Sequence, residues 1–164
     1  MSRVRIGQGL DAHRLVAGRK LWLGGVAVPH ETGLEGHSDG DALLHAVADA
    51  LLGALGEGDL GRHFPSSDES LRGVASSELV ARVMSLVRKA GYRVGNVDAT
   101  IVAQAPRLAS HQPAMQKNLT DLLDADQDCV NVKITSTDRL GALGREEGIA
   151  ALAVVLLERS NERD

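Results

Sequence analysis

The sequence predicts an α/β two-layer sandwich, an α+β arrangement in which helices cover one face of a single sheet. Two observations support this fold class. The predicted elements follow the order β, ββ, α, α, β, α, β, β, and helices packed on a sheet satisfy such an order. The 164 residues are 43% hydrophobic and 24% charged, as in an ordinary globular protein. One domain spanning residues 1–164, with a sizeable core, is therefore expected.

The N-terminal part of the chain predicts one short strand and a hairpin. Residues 4–6 look like a strand that leads into a glycine-rich stretch. Two β-forming runs at 21–23 and 26–28 flank Gly24-Gly25, which is typical of a tight hairpin turn. Pro29 ends the second of these strands, and residues 32–36 are predicted to form a loop.

The clearest helical signal follows the cluster His37-Ser38-Asp39-Gly40 and ends near Leu55. Ser38 or Asp39 is expected to be the N-cap, because either side chain can accept from a free N–H of the first turn. The apolar positions of this segment recur at helical spacing and predict a helix packed on a core. These positions are Leu43, Leu44, Val47, Leu51 and Leu52.

The rest of the chain predicts two further helices and three strands. The helices are expected at 76–90 and 113–123, and two of the strands at 94–104 and 130–134. Residues 149–158 are ambiguous, because their alanines favour a helix whereas the short, wholly apolar run favours a buried strand. We choose the strand. Loops are predicted at 57–68 and 141–148.

Composition excludes several classes of function. The aromatic residues are only Trp22, Phe64 and Tyr92, and the net charge is −4. Both argue against nucleic-acid binding, which uses aromatic stacking and basic surfaces. The single cysteine, Cys129, fits a reducing compartment. No signal-peptide pattern or membrane-length apolar run is found, so a cytoplasmic protein without a membrane partner is expected.

Three residues suggest a metal site. In an extended segment Asp11 and His13 point to the same side, and His45 lies on the predicted helix. Two histidines, one carboxylate and an open position are the arrangement of a catalytic zinc. Asp49, one turn after His45, is expected to hold the second ring nitrogen of His45. Alternatively, His45 is a core histidine and Asp11 a turn residue.

Weaker candidates lie in the loops. Asp59 and His63 are possible ligands, although a solvated loop explains His63 equally well. The hydroxyls and carboxylate of residues 135–138 suit phosphate and a hard cation, or they cap the next turn. Residues 105–108 form a loop at a strand end, which is a common position for a ligand pocket.

Five motifs occur in order along the chain. They are G-x-G-x-D-x-H at 7–13, G-H-S-D-G-D-x-x-x-H at 36–45, G-D-x-G-x-x-F-P at 58–65, A-Q-A-P-R-L at 103–108 and T-S-T-D-x-L-G at 135–141. Together they resemble the 2-C-methyl-D-erythritol 2,4-cyclodiphosphate synthase family over about residues 5–157.

The resemblance implies a homotrimer in which each subunit has a four-stranded sheet with helices on one face. The active sites would lie between neighbouring subunits. The implied substrate is 4-diphosphocytidyl-2-C-methyl-D-erythritol 2-phosphate, whose 2-phosphate attacks the β-phosphate of the CDP group. The products are the cyclic diphosphate and CMP, so the implied enzyme is a phosphorus–oxygen lyase of non-mevalonate isoprenoid biosynthesis.

The resemblance also implies the metals and the catalytic pair. Asp11, His13 and His45 match the family's Zn²⁺ ligands, and Asp138 matches a ligand of a second divalent ion, Mg²⁺ or Mn²⁺. His37 and Ser136 match the pair that stabilises the transition state. No general base is required, because the attacking phosphate is already ionised.

The implied substrate contacts fall in a few segments. Residues 59–61 and 64–68 match the methylerythritol site, and residues 103–109 match the cytidine pocket. Residues 135–138 match the region of the CDP phosphates. Arg145 matches an arginine that lies near the phosphates and the trimer axis. The matching positions are Asp11, His13, His37, Ser38, Asp59, Leu60, Gly61, Phe64, Pro65, Ser66, Ser67, Asp68, Ala103, Gln104, Ala105, Pro106, Arg107, Leu108, Ala109, Thr135, Ser136, Thr137, Asp138, Ala142 and Arg145.

Four positions depart from the family pattern. Ser136 stands where threonine is usual and keeps the hydroxyl, while Asp138 stands where glutamate is common and has a shorter reach. Ser66 replaces an acidic residue that often follows Phe-Pro. Ala142 replaces a bulky aromatic residue that some members place near the trimer axis.

Other functions are considered beside the cyclodiphosphate synthase that the resemblance implies. A zinc-dependent phosphohydrolase would use the same three ligands to activate water, although no residue is marked as its base. A deaminase needs a P-C-x-x-C motif, which a single cysteine excludes. From a different class, a non-catalytic trimeric protein would bind isoprenoid diphosphates or a metal.

Overall fold

A mixed five-stranded sheet forms the centre of the computed structural model, which describes residues 3–160. The strands are β1 (Val4–Ala17), β2 (Leu21–Leu23), β3 (Val26–Val28), β4 (Thr32–Leu34), β5 (Tyr92–Val102), β6 (Val130–Thr135) and β7 (Gly148–Arg159). The helices are α1 (Ala42–Leu55), α2 (Leu60–His63), α3 (Ser76–Lys89), α4 (Gln112–Leu123) and α5 (Gly141–Gly144), with 3-10 turns at Glu69–Leu71 and Gln127–Cys129. No described helix has the length and apolar character needed to cross a bilayer.

The sheet has the strand order β4-β1-β7-β5-β6. Neighbouring strands are antiparallel except for β5 and β6, which are parallel. The hairpin of β2 and β3 is separate from this sheet and turns at Gly24-Gly25, as predicted. The three long helices and the choice of a strand for the last segment are likewise confirmed.

The prediction of four strands in the sheet is wrong, because β4 adds a fifth. Its three residues pair with Leu15–Ala17 at the end of β1, within the segment that was expected to be a loop. A three-residue strand is too short to show alternation in the sequence, so only its pairing reveals it. The loops predicted at 57–68 and 141–148 each contain a short helix, α2 and α5.

The first strand is also much longer than predicted, because its glycines weaken the strand pattern. A Cβ added to Gly7 would lie 1.8 Å from the carbonyl oxygen of Ala50, and one on Gly9 would lie 1.9 Å from that of Ala46. Both contacts are with the backbone of α1. Glycine therefore lets the helix lie directly on β1, and this close approach brings the candidate ligands together.

The core lies between the sheet and the helices. Most side chains of α1 are buried there, and α3 packs against α1 on its other side. The strand β7 runs through the middle of the sheet, with Ile149, Ala151 and Val155 buried against the helices. Leu152 and Val154 point to the opposite face and are 37% and 47% exposed. Because both faces of β7 are apolar, the alternation that marks a strand is hidden in its sequence.

The N-cap of α1 is Asp41 rather than Ser38 or Asp39. One carboxylate oxygen of Asp41 accepts from the backbone N–H of Leu44 at 3.0 Å and of Gly24 at 2.9 Å, and the other accepts from Gly25 at 2.7 Å. Burial raises the pKa of Asp41, while these three N–H groups act in the opposite direction. Asp41 therefore joins the turn of the hairpin to the start of the helix, a contact that the sequence pattern does not show.

Asp41→Asn is expected to destabilise the protein by about 1–2 kcal/mol, because an amide nitrogen in place of one oxygen leaves a buried N–H without an acceptor. Urea unfolding followed by circular dichroism measures this loss. Asp121→Asn is the matched control, since that carboxylate is exposed and contacts Lys117 on the surface of α4; it should leave the midpoint unchanged. Equal midpoints for both variants would show that Asp41 does not hold the turn.

Candidate active site

Three candidate ligands converge between β1 and α1. Asp11 and His13 lie on β1, two residues apart and on the same face, while His45 lies in the first turn of α1. The Asp11 Oδ2 atom is 2.7 Å from His13 Nε2 and 3.0 Å from His45 Nδ1. The two ring nitrogens are 3.1 Å apart. Asp11, His13 and His45 thus direct three ligand atoms at one point, as the sequence predicted.

The other nitrogen of each imidazole fixes the orientation of its ring. His13 Nδ1 donates to the carbonyl oxygen of Glu35 at 2.5 Å, which leaves the lone pair of Nε2 directed at the cluster. His45 Nε2 faces the hydroxyls of Ser76 at 2.9 Å and Ser38 at 3.0 Å. When neither of the two facing ring nitrogens carries a proton, their lone pairs and the carboxylate of Asp11 repel one another unless a cation lies among them. The donor set therefore fits a divalent metal.

Asp49 does not have the contact that was predicted for it. Its Oδ1 atom accepts from the backbone N–H of Leu60 at 2.7 Å, whereas the partners of His45 Nε2 are hydroxyls. Asp49 therefore ties α1 to the start of α2, which lies beside the cluster. Burial raises the pKa of Asp49, and the hydrogen bond from Leu60 acts in the opposite direction.

The cluster favours positive charge even without a metal. Burial alone would raise the pKa of Asp11, but hydrogen bonds and attraction from His13 and His45 outweigh it and lower that pKa far below its usual range. Burial would likewise lower the pKa of His13, but the hydrogen bond and charge of Asp11 raise it overall. A proton on His13 therefore occupies in part the place that a metal cation would take.

A cavity of about 210 Å³ opens beside the cluster. Polar groups from His13, His37, Ser38 and His45 line one side of it. The remaining wall is mostly apolar and comes from α2, α3 and the intervening loop. Its residues are Leu60, Phe64, Ser66, Leu71, Val74 and Leu79. The site can therefore hold a ligand that has an anionic end near the cluster and a carbon skeleton against the wall.

The structure brings only some of the predicted site residues to this cavity. His37 and Ser38 line it, together with Leu60, Phe64 and Ser66. His37 Nε2 donates to the carbonyl oxygen of Asp68 at 2.9 Å, so the loop before α3 is held over the site. Leu71 and Val74 were missed by the sequence analysis, because no motif or periodicity marks them.

Asp59 and His63 do not join the cluster. Asp59 Oδ1 accepts from the N–H of Arg62 at 2.9 Å and caps α2. His63 Nε2 donates to the carbonyl oxygen of Glu57 at 2.9 Å and lies outside the three-ligand group. His63 was interpreted as part of a solvated loop, but it is the half-buried last residue of α2.

A second group of predicted residues lies at the carboxyl ends of β5 and β6. Val102 pairs with Thr135, and the N–H of Ala103 donates to the carbonyl oxygen of Thr135 at 2.9 Å. The loops 103–109 and 135–138 are therefore adjacent. Gln104 Oε1 accepts from the N–H of Arg139 at 3.0 Å and ties them together.

The hydroxyl of Ser136 lies next to Asp138 in this second group. Its Oγ atom is 3.4 Å from Asp138 Oδ1 and accepts from the backbone N–H of Asp138 at 3.3 Å. Asp138 and Arg139 both adopt positive φ angles, 50° and 66°, a strained conformation that often occurs in ligand-binding loops. Arg145 forms an exposed ion pair with Glu147 at 2.6 Å.

The two groups of one chain do not line a common cavity. The pairing of β1 with β7 places His13 opposite Ile149, and the pairing of β5 with β7 places Val102 opposite Ala150. The metal-ligand group and the group at the ends of β5 and β6 therefore lie at the same end of the sheet. However, β7 separates β1 from β5, and residues 103–109 and 135–145 do not contribute to the cavity described above. Each described chain therefore carries two separate parts of the predicted site.

Fold and site define an α+β protein with a candidate two-histidine, one-carboxylate metal centre that opens on a partly apolar cavity. The sequence profile described as the YgbB family matches residues 4–158. The chain belongs to this family.

Several curated relatives share one name, and they align with this chain over nearly the whole length of both proteins. The 2-C-methyl-D-erythritol 2,4-cyclodiphosphate synthase of Geotalea daltonii is 57% identical over 159 residues, which are 97% of this chain and 93% of that protein. The synthase of Geobacter metallireducens is 59% identical over 156 residues, covering 95% of this chain and 99% of that protein.

Solved structures share the fold. The bifunctional IspDF of Campylobacter jejuni has a TM-score of 0.92 and 40% identity, covering 96% of this chain and 43% of that chain. The CDP complex of IspF from Plasmodium falciparum has a TM-score of 0.86 and 32% identity, covering 98% of this chain and all of that chain.

Proposed function

We propose that this protein is a 2-C-methyl-D-erythritol 2,4-cyclodiphosphate synthase. It converts 4-diphosphocytidyl-2-C-methyl-D-erythritol 2-phosphate to the cyclic diphosphate and releases CMP, in non-mevalonate isoprenoid biosynthesis. The observation that carries this proposal is the convergence of Asp11, His13 and His45 beside the cavity, in a chain whose full-length relatives bear that name.

The reaction is an intramolecular phosphoryl transfer. An oxygen of the 2-phosphate forms a bond to the β-phosphorus, and the bond from that phosphorus to the oxygen bridging the α-phosphorus breaks. The bridging oxygen keeps the electron pair and leaves in the phosphate of CMP. The nucleophile is already an anion, so the protein need not remove a proton. Its task is to hold the groups in line and to stabilise the developing charge.

The metal ligands and the cavity wall orient the reacting end. Asp11, His13 and His45 would hold Zn²⁺, which supplies a Lewis acid and a template for the phosphates when bound. His37 and Ser38 line the same side of the cavity and would bind a phosphate by hydrogen bonds. The apolar wall would contact the carbons of the methylerythritol group and exclude water from them.

The second group of residues would bind the CDP end. The loop 103–109 would contact cytidine, and 135–138 would contact the diphosphate, with Ser136 donating to its oxygens together with His37. Asp138 would hold Mg²⁺ or Mn²⁺, and Arg145 would lie near the phosphates. Carboxylate and phosphate oxygens are the ligands that these hard cations prefer.

A homotrimer would join the two groups across a subunit boundary. The proposal is supported by the sheet face opposite the helices, which exposes a large apolar patch formed by β1 and β7. Ile6 and Leu10 are 68% and 61% exposed, and Val4, Leu152 and Val154 lie on the same face. A contiguous apolar face of this kind is typical of an interface. Copies of the chain that pack through it would bring one subunit's metal ligands to another's CDP loops.

Leu152→Arg is expected to dissociate the trimer and lower CMP release by at least about tenfold, because a charge at the centre of an apolar interface is costly to bury. Analytical ultracentrifugation gives the mass of the assembly, and the release of CMP from the substrate gives the rate. Ser85→Glu, which adds a charge on the exposed side of α3, is the control and should leave both unchanged. A Leu152→Arg protein that remains trimeric would exclude this face as the interface.

We also infer a cytoplasmic location, without a nucleic-acid or membrane partner. The free thiol of Cys129 fits a reducing compartment. The net charge of −4 offers no basic excess for a polyphosphate backbone or an anionic lipid surface.

A product assay tests the proposed function. Purified protein is incubated with the substrate, Zn²⁺ and Mg²⁺ or Mn²⁺, and CMP release is followed together with the phosphorus NMR spectrum. CMP together with the cyclic diphosphate is the expected result. CMP with a linear diphosphate would indicate a phosphohydrolase, and no CMP from folded, zinc-loaded protein would indicate a non-catalytic binding protein.

A further inference from the structure

A hydrogen-bond chain lies behind His45, on the side away from the other two ligands, and runs through a buried serine to a half-buried carboxylate. His45 Nε2 is 2.9 Å from Ser76 Oγ, and this hydroxyl donates in turn to Asp39 Oδ1. The side chain of Ser76 is completely buried at the first turn of α3. None of the five sequence motifs that carry the family resemblance includes Ser76.

The direction of these hydrogen bonds follows from the chemistry of each group. If His45 offers the lone pair of Nδ1 to a metal, its proton lies on Nε2 and can only be donated. Ser76 Oγ accepts a hydrogen bond from this N–H and donates its own O–H to Asp39. An ionised Asp39 accepts and cannot donate, so the chain runs from His45 through Ser76 to Asp39.

Asp39 is itself firmly held. Its Oδ2 atom accepts from the backbone N–H of Ser76 at 2.9 Å, and its Oδ1 atom accepts from that of Asp41 at 3.1 Å. The N-cap of α3 is Ala75, which has no polar side chain. Asp39 therefore supplies the carboxylate at the start of α3 from a distant part of the chain, where an anion is favoured by free N–H groups.

We propose that Ser76 and Asp39 are positioning residues that fix the tautomer and orientation of His45 for metal binding. This inference rests on the metal centre of the proposed function. Ser38 also lies 3.0 Å from His45 Nε2, but it lines the cavity and its hydroxyl is available to a ligand there. Ser76 is completely buried and does not line the cavity, so it can hold the ring while a ligand is bound there.

Zinc affinity tests the inference. Metal-free full-length protein is titrated with Zn²⁺ against a competing chelator, and unfolding is measured in parallel. Ser76→Ala is expected to weaken zinc binding about 10- to 100-fold, the usual effect of removing such a partner. Ser85→Ala is the matched control, because its hydroxyl is exposed on the same helix and donates to the carbonyl oxygen of Ala81; it should bind zinc like wild type.

The imidazole N–H signal of His45 provides a readout that a purely structural role would not change. In zinc-loaded wild-type protein, long-range ¹H–¹⁵N NMR should place the proton on Nε2, and Asp39→Asn should shift this signal and weaken zinc binding. If Ser76→Ala does not fold, these two observations decide the question.

Either of two results would overturn the proposal. One is a folded Ser76→Ala protein whose zinc affinity is within twofold of wild type, and the other is a His45 proton on Nδ1 in the zinc-loaded protein. If wild type itself binds no zinc, the metal centre of the proposed function fails as well. The two failures are therefore distinguishable.

Discussion

His45→Ala is expected to lose both bound zinc and CMP release, the latter by at least about a hundredfold. His45 supplies one of three ligand atoms that lie within 3.1 Å of one another, and it is the only one that comes from α1. Loss of a partner behind a ligand costs about 10- to 100-fold, so loss of the ligand itself should cost more. Without the metal, the phosphates lose their Lewis acid and their template.

The measurement pairs metal content with turnover. Zinc per subunit is determined by atomic absorption, and CMP and the cyclic diphosphate are followed in the assay described above. His30→Ala controls for the loss of an imidazole, because His30 is exposed and lies outside the three-ligand cluster. If the His45→Ala protein keeps its full zinc content and wild-type CMP release, His45 is not a ligand of the metal centre.

The sequence predicts the candidate ligands because a strand, a helix and the motifs of the family resemblance mark them. Asp11 and His13 need only an extended backbone to point to one side, and His45 needs only a helix that packs on that strand. The helix signal of α1 was strong, since its apolar residues recur over about three turns. The hairpin was equally predictable from Gly24-Gly25 and the runs beside it.

The contacts that were missed join segments that no motif or periodicity relates to each other. Ser76 lies 31 positions from His45, and nothing in its surroundings distinguishes it from any serine at the start of a helix. The prediction of Asp49 as the partner of His45 used helical spacing, but the ring turns its second nitrogen toward α3 instead. The N-cap was misplaced for the same reason, because Asp41 also binds a turn 16 and 17 positions earlier.

Glycines on β1 lead to the second large effect that we expect. Gly9→Ala should destabilise the protein by about 3 kcal/mol or more and weaken zinc binding along with it. The new Cβ would lie 1.9 Å from the carbonyl oxygen of Ala46 and 2.8 Å from the N–H nitrogen of Ala50. Both atoms belong to the backbone of α1, so no side-chain rotation relieves the contact.

The helix must therefore move away from the strand, and this movement separates His45 from Asp11 and His13. The gain of up to about 1 kcal/mol that alanine usually brings over glycine through backbone entropy does not offset such a clash. Chemical denaturation and the chelator titration measure the two effects on the same protein. Both should change together, because one displacement causes them.

Gly53→Ala is the matched control, because it adds the same methyl group to the same strand–helix contact from the helix side. Its Cβ would lie 3.7 Å from the carbonyl oxygen of Gln8, an ordinary van der Waals distance. Alanine also favours a helix over glycine, so stability should rise by up to about 1 kcal/mol with zinc affinity unchanged. A Gly9→Ala protein as stable as Gly53→Ala would show that α1 and β1 can separate without cost, and the close approach would then not be what assembles the metal centre.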